Sequence, residues 1–278
     1  RRLFAEGTFN SAFVPSYTSE LAKNKSSSNK FANDIFNLLF LALFFLVLII
    51  EIFMPIFVGL IAPGFVGDTK KFELATTLTR ITFPFLLFVS LSSFFSGILN
   101  SHNRFAAAAA APIFLNVILI LSILVSYFYD FNIAKQLSYG VTIAGVVQLI
   151  FLIYFTYKIY NPNVKLYFKI SNKVRFFFKK LLPSIFSSGV TQINILIGTI
   201  IASFESGAVS YLYYADRIYQ INLAIAGIAV GTVSLPILSK AFKMKNTTRV
   251  SNIQNKSIQL SLLVSIPASL GLIIGAEE

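Results

Sequence analysis

Blocks of about twenty apolar residues recur along this chain, each the length of helix that crosses ~30 Å of hydrocarbon. That pattern leaves few possible folds. Inside a bilayer every backbone N–H and C=O must find a partner within the protein, which only helices and closed barrels achieve. Barrel strands would alternate between two faces over about ten residues, and no such alternation occurs. Composition points the same way: of 278 residues, 56% are hydrophobic, 30 are phenylalanine and only 12% are charged, against roughly 25% charged in soluble domains. The expected fold is therefore all-α and integral to the membrane, a polytopic bundle of about eight transmembrane helices.

The chain in order supplies the spans. A first segment ends by Glu20, followed by a basic loop with Lys23, Lys25 and Lys30. Later spans are predicted at residues 35–62, 76–99, 105–128, 137–157, 181–204, 209–242 and 258–274. Pro55 and Gly59 are expected bend points in the second, and the alanines from Ala106 to Ala111 permit close helix approach. Gly140, Ala144 and Gly145 do the same in the fifth. The loops alternate in charge. One set carries the three lysines, then Arg104, then seven basic residues between Lys158 and Lys180 without an acid, then five from Lys240 to Lys256. The other set is short and mixed, with Asp68, Glu73, Asp130 and Glu205 among its charges. The first set is cytoplasmic by the positive-inside rule. The net charge of +12 then reflects topology and attraction to anionic inner-leaflet lipid, and no nucleic-acid partner is expected.

Absent residue types narrow the chemistry. There is no cysteine and one histidine, His102, so thiolate and histidine metal sites are not expected. No glycine-rich phosphate loop or pair of catalytic acids appears, so neither an enzyme nor a cofactor is expected. Charges within apolar sequence are costly and are retained where they meet a partner, a wet cavity or a substrate. They are Arg1, Arg2 and Glu6 at the start, Glu51 and Arg80 near outer helix ends, and Asp216 with Arg217 among tyrosines. Glu51 and Arg80 are expected to snorkel to water. Asp216 and Arg217 form either an interfacial pair under a tyrosine belt or a cation facing a cavity with a carboxylate beside it. The serines at 90, 92, 93 and 96, and the polar residues spread from Pro183 to Thr199, fit either interhelical hydrogen bonding or cavity lining. Gly7-Thr8 with Phe13-Val14-Pro15 is echoed faintly by Gly231-Thr232 with Leu235-Pro236, as two related bundles flanking one site would be.

The run from Arg1 to Phe9, with Ala12-Phe13-Val14-Pro15, closely resembles the second transmembrane helix of the MurJ (MviN) lipid II flippases. Three further stretches agree in order: Ile81-Thr82-Phe83-Pro84, then Ile98 to Phe105, then Tyr213-Tyr214-Ala215-Asp216-Arg217 leading to Gly231-Thr232 and Leu235-Pro236. The resemblance covers the whole chain, which would correspond to the second through ninth of about fourteen helices. Arg1 is not a start residue, and the chain is expected to be part of a longer one.

The resemblance implies a two-lobed carrier of the multidrug/oligosaccharidyl-lipid/polysaccharide superfamily working by alternating access. Residues 1–160 would belong to the first lobe, 161–180 to a basic cytoplasmic linker and 181–278 to the start of the second. The substrate implied is lipid II, the undecaprenyl-pyrophosphate-linked peptidoglycan precursor, moved to the outer leaflet of the bacterial cytoplasmic membrane. Membrane lipid and the cell-wall synthesis machinery are the other implied partners. Arg1, Arg2 and Arg217 would bind the pyrophosphate, with Glu6 and Asp216 as gating or charge partners. Some members carry a sodium-site aspartate in the seventh family helix, whereas Thr191 to Ser203 holds no carboxylate. The alternatives are a sister exporter of another polyprenyl-linked oligosaccharide, and a membrane-embedded glycosyltransferase, whose catalytic groups on a sizeable outer loop are not seen.

Overall fold

A computed structural model describes residues 8–163, 171–244 and 246–275. Every regular element among them is helical: α1 (Thr8–Leu21), α2 (Lys25–Ile52), α3 (Met54–Ile61), α4 (Thr69–Thr82), α5 (Phe85–Ser101), α6 (Phe105–Tyr129), α7 (Ile133–Thr156), α8 (Asn172–Ala202), α9 (Ala208–Asn222), a π-helical stretch (Leu223–Ala229), α10 (Val230–Lys243) and α11 (Thr247–Ile274), with a 3₁₀ turn at Pro63–Phe65. Among the described residues, five spans are long and apolar enough to cross a membrane: α2, α4 continued by α5, α6, α7 and α11. The other expected spans fall on α1, on the polar α8, and on α9 and α10 with the π stretch between them.

Local sequence explains where these helices begin. Asn24, Asp68, Asn132, Ser171 and Asn246 each accept a hydrogen bond from the backbone N–H three residues on, capping α2, α4, α7, α8 and α11. Such caps satisfy donors that the first turn leaves free. The tight turn between α5 and α6 runs through Asn103 in the left-handed region, φ 58°, which asparagine tolerates better than most residues.

Prolines decide the breaks. The expected bend near Pro55 is present: α2 ends at Ile52 and α3 starts at Met54 with the proline in its first turn. The span predicted at 76–99 proves to be two helices, because the Phe83-Pro84 pair interrupts it. Proline lacks the N–H that would continue the ladder, and it restricts the residue before it. Helices also outrun their predicted ends on the cytoplasmic side. α8 starts at Asn172, within the expected linker, and α11 carries Arg249 and Lys256 on helix. Water and headgroups solvate basic side chains there, so nothing stops the helix at the hydrocarbon edge.

The described helices divide between two compact units, Arg1–Phe204 and Glu205–Glu278. In the first, α1 lies at the centre of the core. Its Phe9, Phe13 and Tyr17 are buried, together with Phe31 and Ile35 of α2, Phe94 and Phe95 of α5, and Val174, Phe177 and Leu181 of α8. Phe13 stacks between Phe9 and Tyr17 at 5.2 and 5.7 Å, and meets Phe31, Phe94 and Phe177 at 5.1–6.3 Å. Lipid tails are as apolar as these rings, so close packing rather than escape from water holds the cluster. Each well-placed ring pair contributes about 0.5–1.5 kcal/mol beyond its buried area.

The small residues of α7 act as expected. A Cβ on Gly145 would lie 2.7 Å from a ring carbon of Phe85, so glycine there lets α5 and α7 touch. α8 is tied to the first unit at both ends, by its aromatic face on α1 and by Ser203, whose Oγ accepts from the Gly64 N–H at 3.0 Å. In the second unit α11 packs on α10 and the π stretch. Ser257 donates to Ser234 Oγ, and Ser261 to the Ala226 carbonyl, both at 2.6 Å.

Phe13→Ala in the whole protein is expected to cost about 3–5 kcal/mol, as large-to-small changes in a packed core do. Phe186→Ala, at a ring 72% exposed, should leave the melting temperature in detergent nearly unchanged. Equal melting of the two variants would remove the aromatic column from the centre of the fold.

Candidate functional site

Of the charged residues expected to form the site, Arg1, Arg2 and Glu6 lie outside the described residues. Arg217 and Asp216 are described, on α9 in the second unit. Each engages a residue four positions away, the spacing that brings side chains together on a helix. Arg217 Nη2 donates to Tyr213 Oη at 2.9 Å, and its guanidinium carbon stands 4.9 Å from the Tyr213 ring centre. Asp216 accepts from Gln220 Nε2 at 2.5 Å. Consecutive helix residues point about 100° apart, so the cation and the carboxylate have separate supports.

This arrangement suits Arg217 to bind an anion. A guanidinium has five N–H donors in a planar fork, and the tyrosine hydroxyl takes up one of them. The ring face restrains the side chain by cation–π attraction, while the rest of the exposed guanidinium stays open to a partner. α9 leads directly into the π stretch Leu223–Ala229, and π segments recur at functional sites. The sequence reading placed one unbroken span here. The run of alanines around Gly227 was the only sign of weaker helix packing.

The other intramembrane charges pair with each other. Arg80 Nε of α4 lies 3.7 Å from Glu51 Oε2 of α2, so the two meet across helices, while Glu51 Oε1 is buried without a hydrogen-bond partner. Glu20, read from the sequence only as the end of a segment, is the hub of a cluster. Its carboxylate accepts from Lys23 at 2.7 Å and from Ser27 and Lys173 at 2.5 Å, and Lys173 also donates to Ser27. The cluster joins α1, the start of α2 and the start of α8. Burial alone would push the Glu20 pKa up, but hydrogen bonds from Lys173, Lys23 and Ser27 outweigh it and hold the carboxyl at about 2. The signal available was an acid three residues before a lysine. Its partner Lys173, 153 residues away, was not legible. Among the described residues no cluster of three or more metal-ligating side chains occurs.

The described helices form a bundle with membrane-length spans, and solved transporter structures share its fold. A multidrug resistance MATE family transporter of the MOP superfamily, in an inward-facing conformation, superposes with TM-score 0.68 over 97% of this chain and 62% of that one, at 16% identity, which speaks for the fold. A lipid II flippase MurJ in an inward closed conformation superposes with TM-score 0.78 at 28% identity, covering 99% of this chain and 56% of that one. The family model for "Lipid II flippase MurJ" matches residues 1–278, and the chain belongs to that family. A probable lipid II flippase MurJ of Rhizobium meliloti (strain 1021) is 41% identical over 285 residues, spanning 100% of this chain and 53% of the relative. Its counterpart in Rickettsia prowazekii (strain Madrid E) is 39% identical, spanning 99% and 54%. The chain thus spans about half the length of the curated relatives it matches.

The Glu20 cluster makes a pH prediction. A folded pKa of about 2, against an ordinary 4.5, means the carboxylate adds stability that is complete above the ordinary value and fades as pH falls toward 2. Both lysines are about half exposed, so screening limits the effect to about 1 kcal/mol, or ~2–4 °C in melting temperature. Glu20→Gln should lower melting by that amount at pH 7, with the gap closing as pH falls from about 4.5 toward 2. Thermal scans of the whole protein at pH 7 and down that range would refute the assignment if the gap were absent at pH 7.

Proposed function

We propose that this chain is part of a carrier that moves lipid II from the cytoplasmic to the outer leaflet of the bacterial cytoplasmic membrane by alternating access. Residues 1–160 belong to one lobe, 161–180 to the basic linker and 181–278 to the start of the other, α8 being the helix that joins them. Lipid II carries a diphosphate between a polyprenyl tail and a sugar-peptide head, and that head does not cross hydrocarbon unaided. The observation that carries the reading is Arg217, an exposed guanidinium steadied by Tyr213.

Arginine fits the task because its fork donates paired hydrogen bonds to phosphate oxygens and keeps its charge at any relevant pH. Arg1 and Arg2 supply further guanidinium groups to the same diphosphate, while the lipid tail stays in the bilayer. Asp216 and Glu6 compete for the arginines once the head has been released. Conformational change in carriers of this plan is largely the rocking of one bundle against the other, so the chain's own residues bind and orient, and no bond is made or broken. The cell-wall synthesis machinery that makes and consumes lipid II is the partner this role requires.

Arg217→Ala in the whole protein should weaken lipid II binding by about 1.5–3 kcal/mol, the worth of hydrogen bonds to a charged group, roughly ten- to a hundredfold. Translocation in proteoliposomes should be lost at unchanged protein abundance. Arg217→Lys, which keeps the charge without the fork, should recover only a minor part. An unchanged translocation rate in Arg217→Ala would overturn the assignment.

A further inference from the structure

Arg104 and Lys158 come from distant parts of the chain and line one cavity of about 520 Å³ in the first unit. Arg104 sits in the tight turn between α5 and α6, and Lys158 follows the last turn of α7. The wall beside them is a stripe of Ile150, Ile153, Tyr154 and Tyr157. These residues and Lys158 are spaced by threes and fours, as side chains sharing one helix face are. Lys158 lies about 12 Å beyond Ile150 along that axis. The lining therefore passes from apolar through tyrosine to cation.

Both cations are exposed, and among the described residues neither pairs with an acid. No carboxylate lines the cavity. Their charge is felt nearby. Burial, helped by the charges of Arg104 and Lys25, holds the His102 pKa below its ordinary value. Two unneutralised cations at one mouth attract an anion as their third member.

The apolar part of the wall selects the anion. A free phosphate or an acidic peptide would use the cations and leave the stripe bare, although Ile150 is 61% and Tyr154 74% exposed. A phospholipid uses both. Its chain lies along the isoleucines, its glycerol region meets the tyrosines, which favour the membrane–water interface, and its phosphate reaches the cations. Arg104 offers a fork to two phosphate oxygens, and Lys158 a point charge. Both belong to the loops that the positive-inside rule assigns to the cytoplasm, where the leaflet carries anionic lipid. A zwitterionic headgroup would bring its own ammonium against two cations. We propose that this cavity binds the headgroup phosphate of an anionic phospholipid, as basic pockets between membrane helices do. Such a lipid belongs to the bilayer and is not cargo, so the site stands whether or not the chain moves lipid II.

Tryptophan quenching tests this, since the chain has no tryptophan of its own. In the whole protein, cleared of any others, Ile150→Trp reports on the cavity, with Tyr154→Trp as a second reporter should the first fold poorly. Ile120→Trp, at an exposed residue about 22 Å along α6 from Phe105, reports on ordinary lipid contact. Phosphatidylcholine bilayers receive small fractions of phosphatidylglycerol or phosphatidylcholine with brominated chains, which quench tryptophan on contact. A basic residue at the membrane surface is worth about a fivefold preference for anionic lipid. Phosphatidylglycerol should therefore quench Ile150→Trp at a mole fraction about twenty-fivefold lower, and Arg104→Gln and Lys158→Gln should each remove about fivefold of that. Both lipids should quench Ile120→Trp alike. Equal quenching of Ile150→Trp by the two lipids, or a preference that survives both substitutions together, would overturn the site. Millimolar glycerol phosphate should change nothing; if it relieves the quenching, the cavity takes a soluble phosphate and the lipid assignment is lost. Undecaprenyl diphosphate that displaces phosphatidylglycerol at a lower mole fraction would make the cavity a cargo site instead.

Discussion

Hydrocarbon accepts no unpaired backbone group, and the architecture follows from that constraint. It makes every described regular element a helix and leaves the interior to be filled by side chains without help from water. Under those terms the helix with most to bury takes the centre, and α1 does so with Phe9, Phe13 and Tyr17 in one column. Aromatic rings suit the position because they fill large volumes with few rotatable bonds and find each other in stacked or edge-on contact. α2, α5 and α8 are then arranged around a fixed object. The cluster at Glu20 secures one end of the same column, where α1, α2 and α8 come together.

The same constraint governs the polar residues. A hydroxyl in lipid bonds either to its own helix, which is cheap and local, or to something else. Ser90, Ser101, Ser122 and Ser138 take the first course. Thr142 takes the second, donating across to the Ile81 carbonyl of α4 at 2.5 Å. Ser92 does neither, and for that reason it is the informative serine of the group. The pair Glu51 and Arg80 answers the same pressure for charges, each partly neutralising the other near the C-terminal ends of α2 and α4.

How much of this the sequence discloses depends on the range of the interaction. Most spans and the bend at Pro55 are local matters and were legible. The interruption at Pro84 carries an equally local signal, but the predicted span ran straight across it. Glu20 shows the limit of local reading, because two of its partners come from its own neighbourhood and the third, Lys173, comes from a helix that only the fold brings near. The serines of α5 were legible as a group and not as individuals. Which of them lines a cavity depends on α1, α6 and α7, whose placement no spacing within α5 reveals. Arg217 stood out as a costly charge in apolar sequence. Its tyrosine support follows from the four-residue spacing, whereas the π stretch beyond it has no comparably plain signature.

On the proposed reading, a carrier of a lipid-linked head must bind a diphosphate and still release it. A diphosphate needs full charges, and each guanidinium that provides them has a large desolvation cost if it is buried with no anion present. Keeping Arg217 exposed and resting it on a tyrosine face limits that cost while the side chain waits. A carrier that bound every part of its cargo with charged groups would hold it too tightly to let go.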